Sequence, residues 1–346
     1  MKNIKEILEE IKKLAKKIKR EVVLMEVCGT HTQQIVRFGI RKILPKNIKL
    51  VPGPGCPVCI TPQEDIDAIC FLALNGIPVA SYGDVLRVPG YFGSLEKIRQ
   101  KTGKVFEVYC VDEALSLKKK FKDLVFFGVG FETTAPMTAW AIKKGLTVFS
   151  AHRLFLPILY ELLKDKNIKI DGLIAPGHVS TIVGEEPYKK VNLPCVISGF
   201  ELDDIIVSIF LLLKQIKEKQ KKLENQYVRS VKKKGNEKAK KLMFEVFEPK
   251  DGNCRGFGKI LKVLLEIKKK YSKFDAKVKY SSILKRMKTR NKKSKCLCDK
   301  VLKGIIQPKD CPLFKKVCTI ENPIGPCMVS QEGACNVELK YGEGAI

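Results

Sequence analysis

The sequence predicts an α/β fold made of two similar Rossmann-like parallel-sheet units and a third, mostly helical and loop-rich C-terminal domain. Three observations predict it. From Glu21 to about Leu212, short β-branched runs alternate with amphipathic segments, the pattern of parallel strands covered by helices. A weak internal echo, "GVGFETT" after one strand and "ISGFELD" after another, points to two units rather than one. Beyond Leu212 the pattern changes to basic helical stretches and then a cysteine-rich tail. At 346 residues and 45% hydrophobic content, the chain is too long for one ordinary core and has ample material for two or three.

Taken in order, "MKNIKEILEEIKKLAKKIKR" sets Ile4, Ile7, Leu8, Ile11, Leu14 and Ile18 at helical spacing between charges, so residues 1–20 read as an amphipathic helix and not a signal peptide. Strands are expected at "EVVLMEV", "IKLV", "IPVASYG", "KVFEVYC", "DLVFFGVG", "LTVFSAH", "IDGLIAPG" and "PCVISG". Helices are expected between them, among them "PQEDIDAICFLALN", "SLEKIRQKTG" and "PMTAWAIKKG". Eight strands exceed one small sheet, which places a boundary near "VDEALSLKKKFKD" and gives units at 21–115, 116–212 and 213–346. The longest apolar run, "IIVSIFLLL" from Ile205, is about half of the ~20 residues that span a bilayer, so a cytoplasmic protein is expected.

The formal charge of +28 is concentrated: residues 211–295 hold 29 Lys or Arg against 8 Asp or Glu, a difference of +21. These runs are rich in Lys, poor in Arg and sparse in aromatics, which fits a solvated lysine face better than base readout or single-strand stacking. Nucleic acid is therefore not the expected partner, while an acidic protein surface is compatible with the charge. Thirteen cysteines in a reducing compartment read as metal ligands or redox groups, and six of them fall in the last fifth of the chain.

In open parallel sheets, ligands sit beyond the carboxyl ends of strands. That edge collects Cys28 and His31, Cys56 and Cys59, Asp84 and Arg87, Glu132, Thr133 and Thr134, His152 and Arg153, His178, and Glu201. All three histidines of the chain are among them. In "MEVCGTHT", a cysteine that ends a strand and opens a helix meets the positive end of the helix dipole, which favours the thiolate. With His31 beside it, the pair suits iron or zinc, although a packed cysteine next to a capping threonine fits the same spacing. In "VPGPGCPVC", Cys56 and Cys59 form a Cys-x-x-Cys pair in a proline-stiffened loop, which reads as a reversible dithiol or as half of a zinc site.

The tail "KCLCDKVLKGIIQPKDCPLFKKVCTIENPIGPCMVSQEGAC" separates Cys311, Cys318, Cys327 and Cys335 by gaps that fit no tight zinc-finger pairs. Four cysteines on irregular loops suit an iron-sulfur cluster, which needs four thiolates and no fixed spacing. Cys296 and Cys298 are then surplus, as a second redox pair or alternative ligands. No Walker-type phosphate loop is present.

These motifs, with "ASYGDVLRVPG", "GVGFETTAP", "APGHVS", "CVISGFE" and the tail, resemble in order the HypD family of [NiFe]-hydrogenase maturation factors, from about Val22 to Tyr341. The resemblance implies two α/β domains and a third with a [4Fe-4S] cluster. It implies a scaffold that pairs with a small HypC-type chaperone and holds the Fe(II) on which two CN and one CO are assembled. A HypE-type donor would supply cyanide, and the hydrogenase large subunit would receive the product. Carried onto this chain, Cys28 is the iron thiolate and His31 its neighbouring ligand or orienting group. Cys56 and Cys59 are the redox pair, and Cys311, Cys318, Cys327 and Cys335 hold the cluster. Glu132, Thr133, Thr134, His152, His178 and Glu201 stand as supporting groups around the iron, or as helix caps. One departure is visible: Cys254 in "GNCRGFG" replaces the tryptophan that family members carry before Arg-Gly. A stand-alone iron-sulfur thiol-disulfide reductase accounts for cluster and dithiol but leaves "CGTHT" idle. An RNA-binding iron-sulfur protein accounts only for the charge.

Overall fold

Each of the eight β-branched runs forms a strand in the computed structural model, which describes residues 3–289 and 295–342. In chain order these are β1 (Val22–Glu26), β2 (Ile48–Pro52), β3 (Val79–Ser81), β4 (Val105–Glu107), β5 (Val125–Gly128), β6 (Thr147–Ser150), β7 (Gly172–Pro176) and β8 (Cys195–Ser198). Three more follow: β9 (Leu223–Asn225), β10 (Phe247–Cys254) and β11 (Gly258–Ile267). Strands β5 to β8 are buried along their whole length, as expected of parallel strands covered on both faces.

The strands divide between two parallel sheets, but not at residue 115. One sheet has the order β2-β1-β7-β8-β9 and the other β4-β3-β5-β6. Strands β3 and β5, on either side of the expected boundary, are hydrogen-bonded neighbours. The chain starts one sheet, leaves to build the whole of the second, and returns at β7 to pair with β1. Strand β9 extends the first sheet past residue 212. The N-terminal helix α1 (Ile4–Ile18) belongs to this half, because Ile11 and Ala15 pack with Ile205, Ile209 and Leu212 of the helix Leu202–Lys217. The run "IIVSIFLLL" is thus a core helix. Among the described residues no helix is long and apolar enough to cross a membrane.

The stretch 247–267, which spans "GNCRGFG" between the expected basic helical stretches, is an antiparallel hairpin. Ile260, Val263, Leu264 and Ile267 stand at i, i+3, i+4 and i+7, a helical signature. The spacing arises because the pairing register shifts between Lys250 and Gly252, opposite Lys262, which takes a left-handed φ of 54°. The shift sets Leu261, Lys262 and Val263 opposite Asp251 alone, which interrupts the two-residue alternation between buried Ile260 and buried Val263. The hairpin lies against the second sheet, where Leu265 N–H donates to His152 O at 3.0 Å and Leu154 N–H to Val263 O at 2.8 Å. After it come short helices and loops, among them Cys298–Leu302, Pro326–Val329 and Ala334–Tyr341.

Candidate functional site

Both sheets reverse strand order at an inner pair, β1 with β7 and β3 with β5, and the crevice above such a switch point is where open α/β sheets bind. Cys28 stands above the first. It is the N-cap of helix α2 (Gly29–Arg37), with extended backbone at φ −145°, and its side chain makes no capping bond. The opposite strand, β7, delivers Gly177 and His178 to the same edge.

The expectation of a ready thiolate does not hold for the protein by itself. Burial, followed by the nearby Glu332 carboxylate, pushes the Cys28 thiol up to about 12, and the Thr30 and His31 N–H groups only partly offset this. Desolvation outweighs the start of one helix. A bound cation reverses that balance, since a coordinating thiol loses its proton outright.

His31 is held at the sheet edge by the residues that follow β8. Its Nε2 donates to Gly199 O at 2.8 Å and its ring stacks on Phe200 at 4.6 Å. Nδ1 has no hydrogen-bond partner. Burial lowers the ring to about 4, so it is a neutral imidazole with a bare Nδ1 lone pair. His178, exposed on the rim, stacks on the same Phe200 at 3.9 Å.

The dithiol loop lies directly on Cys28. A Cβ on Gly55 would strike the backbone of Cys28, and one on Gly53 would stand 2.7 Å from Val27 Cγ1, so both positions require a bare α-carbon. Gly53 N–H donates to Glu26 O at 2.8 Å, folding the loop over the end of β1. Cys56 then caps the one-turn helix Pro57–Ile60, and its sulfur accepts from Cys59 N–H at 3.2 Å. The sulfurs of Cys56 and Cys59 are at disulfide distance, and both residues are buried. Gly55→Ala is expected to force the two loops apart at a cost of about 1–3 kcal/mol. The measurement is denaturant unfolding, with wild-type stability as the contrary result.

The tail closes over both motifs. Thr30 Oγ1 donates to Glu332 Oε1 at 2.5 Å, while Ser330 Oγ and Gln331 N–H each donate to Asp84 Oδ2 at 3.0 Å. Arg87 donates to Ile320 O. Asp84 and Arg87, taken from the strand-end residues, therefore anchor the tail. The helix Pro326–Val329 packs against the dithiol helix, as does Cys298–Leu302. Six cysteines, Cys296, Cys298, Cys311, Cys318, Cys327 and Cys335, line one small cavity with Val301, Phe314 and Met328.

Within that cavity the assignment of Cys327 changes. Its sulfur is at disulfide distance from Cys298, which leaves Cys296, Cys311, Cys318 and Cys335 as the other four sulfurs of the wall. These four sense one another: Cys311 and Cys318 both push the thiol of Cys296 up, after the larger effect of burial, and all three act on Cys335 in the same direction. Ile324 N–H points at Cys318 Sγ at 3.4 Å, and a Cβ on Gly325 would stand 2.7 Å from Cys296 Sγ. Among the described residues no group of three ligating side chains is closed to metal distance. Four thiols around a small, mostly apolar cavity are nonetheless the donor set of a cubane.

Most of the remaining strand-end residues have partners of their own within the chain. Both oxygens of buried Glu132 accept from Phe155 N–H at 3.1 Å, capping the helix Phe155–Lys164, and burial raises this carboxyl to about 7. Thr133 is exposed, and Thr134 stands at the N-cap position of the helix Ala135–Lys143 without a side-chain capping bond, its hydroxyl donating to Phe131 O at 3.4 Å. His152, lowered to about 3 by burial, bonds Thr138 at 3.3 Å. Arg153 pairs with Asp65 at 2.7 Å. Glu201 forms a capping box with Asp204.

Sequence reasoning passed over Glu26, fully buried two residues before Cys28, with Arg41 at 3.6 Å and burial raising it to about 7. It also passed over Glu332. Neither carries a local signal, since a carboxylate within a strand or a loop is ordinarily solvated.

A profile of the HypD family, described as the hydrogenase formation hypA family, matches residues 2–342. A protein of Methanocaldococcus jannaschii named for hydrogenase expression/formation is 41% identical, with 98% of this chain and 97% of its own length covered. The hydrogenase maturation factor HypD of Rhizobium leguminosarum bv. viciae is 38% identical over 93% of this chain and 89% of its own. That of Azotobacter vinelandii is 38% identical, with 94% and 90% covered.

Proposed function

The chain belongs to the HypD family of hydrogenase formation proteins, and from that premise we propose that it is a maturation scaffold on which iron acquires its CN and CO ligands. The iron is cargo. Cys28 gives up its proton to bind it, sharing the metal with a HypC-type chaperone, and the bare Nδ1 of His31 is the nearby nitrogen donor. The observation that carries this reading is contiguity: the dithiol loop rests on the backbone of Cys28, and the tail helices rest on the dithiol.

Transfer of a cyano group from a thiocyanate on a HypE-type donor breaks a carbon–sulfur bond. Release of cyanide together with a thiolate consumes two electrons. Oxidation of Cys56 and Cys59 from dithiol to disulfide yields two electrons and two protons, which matches that demand. Cys296, Cys311, Cys318 and Cys335 would hold a [4Fe-4S] cluster, which supplies single-electron transfer when bound. The Cys298–Cys327 pair stands beside those sulfurs as a second dithiol. Cys56 and Cys59 are 3% and 0% exposed, which argues against direct reduction of bulk disulfides and so against a stand-alone reductase.

The test is infrared spectroscopy of the chain co-purified anaerobically with its small partner. Two cyanide bands and one carbonyl band are expected. A complex that holds iron but shows no diatomic band would refute the scaffold reading.

A further inference from the structure

The turn of the hairpin, Cys254–Gly258, lies between the two thiol systems, touching the segment after the dithiol on one side and Asp299 on the other. Gly256 and Gly258 take left-handed φ values of 82° and 71° to make it. Arg255 N–H donates to Ile60 O at 2.8 Å, immediately after the dithiol. The guanidinium then continues along the same segment, with Nε donating to Thr61 O at 3.0 Å and Nη2 to Gln63 Oε1 at 3.3 Å. On the other side, a Cβ on Gly256 would press on Cα of Asp299 at 3.2 Å, next to Cys298. Neighbouring Phe257 lies under Lys303 Nζ at 5.3 Å, in the same tail segment.

An arginine stays charged in a protein. The groups within its electrostatic reach are Cys296, Glu64 and Asp67, and the first of these is one of the four sulfurs of the tail cavity. Gln63 meanwhile donates to Asp67 Oδ1 at 3.0 Å, which ties that carboxylate to the same fork.

We propose that Arg255 is a positioning residue for the redox centre: it anchors on the dithiol segment and holds a partly buried positive charge between that segment and the tail cysteines, easing reduction of the cluster. It rests on the cluster reading above. The physical basis is that adding an electron to a thiolate-ligated cluster increases negative charge, which a nearby cation stabilises in a medium of low dielectric. Adding one electron takes the oxidised cluster to its reduced form with no bond broken. In the test the electron comes from dithionite through one-electron mediator dyes.

The experiment is a potentiometric titration of the visible absorbance of the full chain, purified anaerobically as wild type, Arg255→Met, Arg255→Lys and Gln63→Glu. Arg255→Met should shift the equilibrium about tenfold toward the oxidised form, 59 mV for a one-electron couple. Arg255→Lys, which keeps the charge, should recover most of that. Should Arg255→Met fail to fold, Gln63→Glu sets a carboxylate against the guanidinium and should shift the potential in the same direction. Unchanged potentials in the variants that retain full absorbance overturn the assignment of Arg255. A wild-type chain that takes up no cluster overturns the reading on which it rests, and Arg255 with it.

Discussion

Cys28→Ala is expected to reduce iron bound in the complex with the small chaperone to background, and the cyanide and carbonyl bands should vanish with it. The effect is large because the position offers one sulfur and no substitute. The fold should survive. Cys28 makes no side-chain cap to helix α2, and its helical role is carried by its carbonyl, which accepts from Thr32 N–H at 3.1 Å. Removing the sulfur also removes a thiol that burial and Glu332 hold in the protonated form, so the apo protein loses no favourable ionic contact. The visible absorbance of the tail should therefore match wild type, which separates ligand loss from unfolding. Undiminished diatomic bands in this variant would sink the assignment of Cys28.

The second large effect discriminates among the tail sulfurs. Serine at Cys296, Cys311, Cys318 or Cys335 should each abolish or strongly bleach the visible absorbance of the anaerobic protein, because a cubane with three thiolates and a hydroxyl is poorly held. Serine at Cys298 or Cys327 should leave it, since those two sulfurs face each other. Cys56→Ser should leave it too. The contrary pattern, colour lost in Cys327→Ser and kept in Cys296→Ser, would restore the ligand set expected from spacing and reject the one drawn from the cavity.

The tail shows where spacing loses its force. Cys311, Cys318, Cys327 and Cys335 are evenly strewn and look like one set, while Cys296 and Cys298 look like an appendage. In the fold the helices Cys298–Leu302 and Pro326–Val329 both pack on the dithiol helix, which sets Cys298 opposite Cys327 and turns Cys296 inward. Helix packing over 29 residues of separation decides the partner, and no local rule encodes it. The strand-end residues show the same limit in another form. Cys28, Cys56, Asp84 and Glu132 all lie at strand ends, yet the first two meet at one crevice, Asp84 holds the tail, and Glu132 caps a helix.

The sequence by itself determined the local units: where β-branched runs become strands, where glycine and proline end them, and that Cys28 opens a helix beyond β1. These depend on side-chain alternation and backbone preference within a few residues. Only the tertiary structure decided which strand lies beside which, that β7 returns to β1 after a whole second sheet has been built, and that Gly55 lies flat on Cys28. It also decided the protonation of Cys28. Burial there sums desolvation from every surrounding element, and that sum overrides the single helix terminus that the chain places next to it.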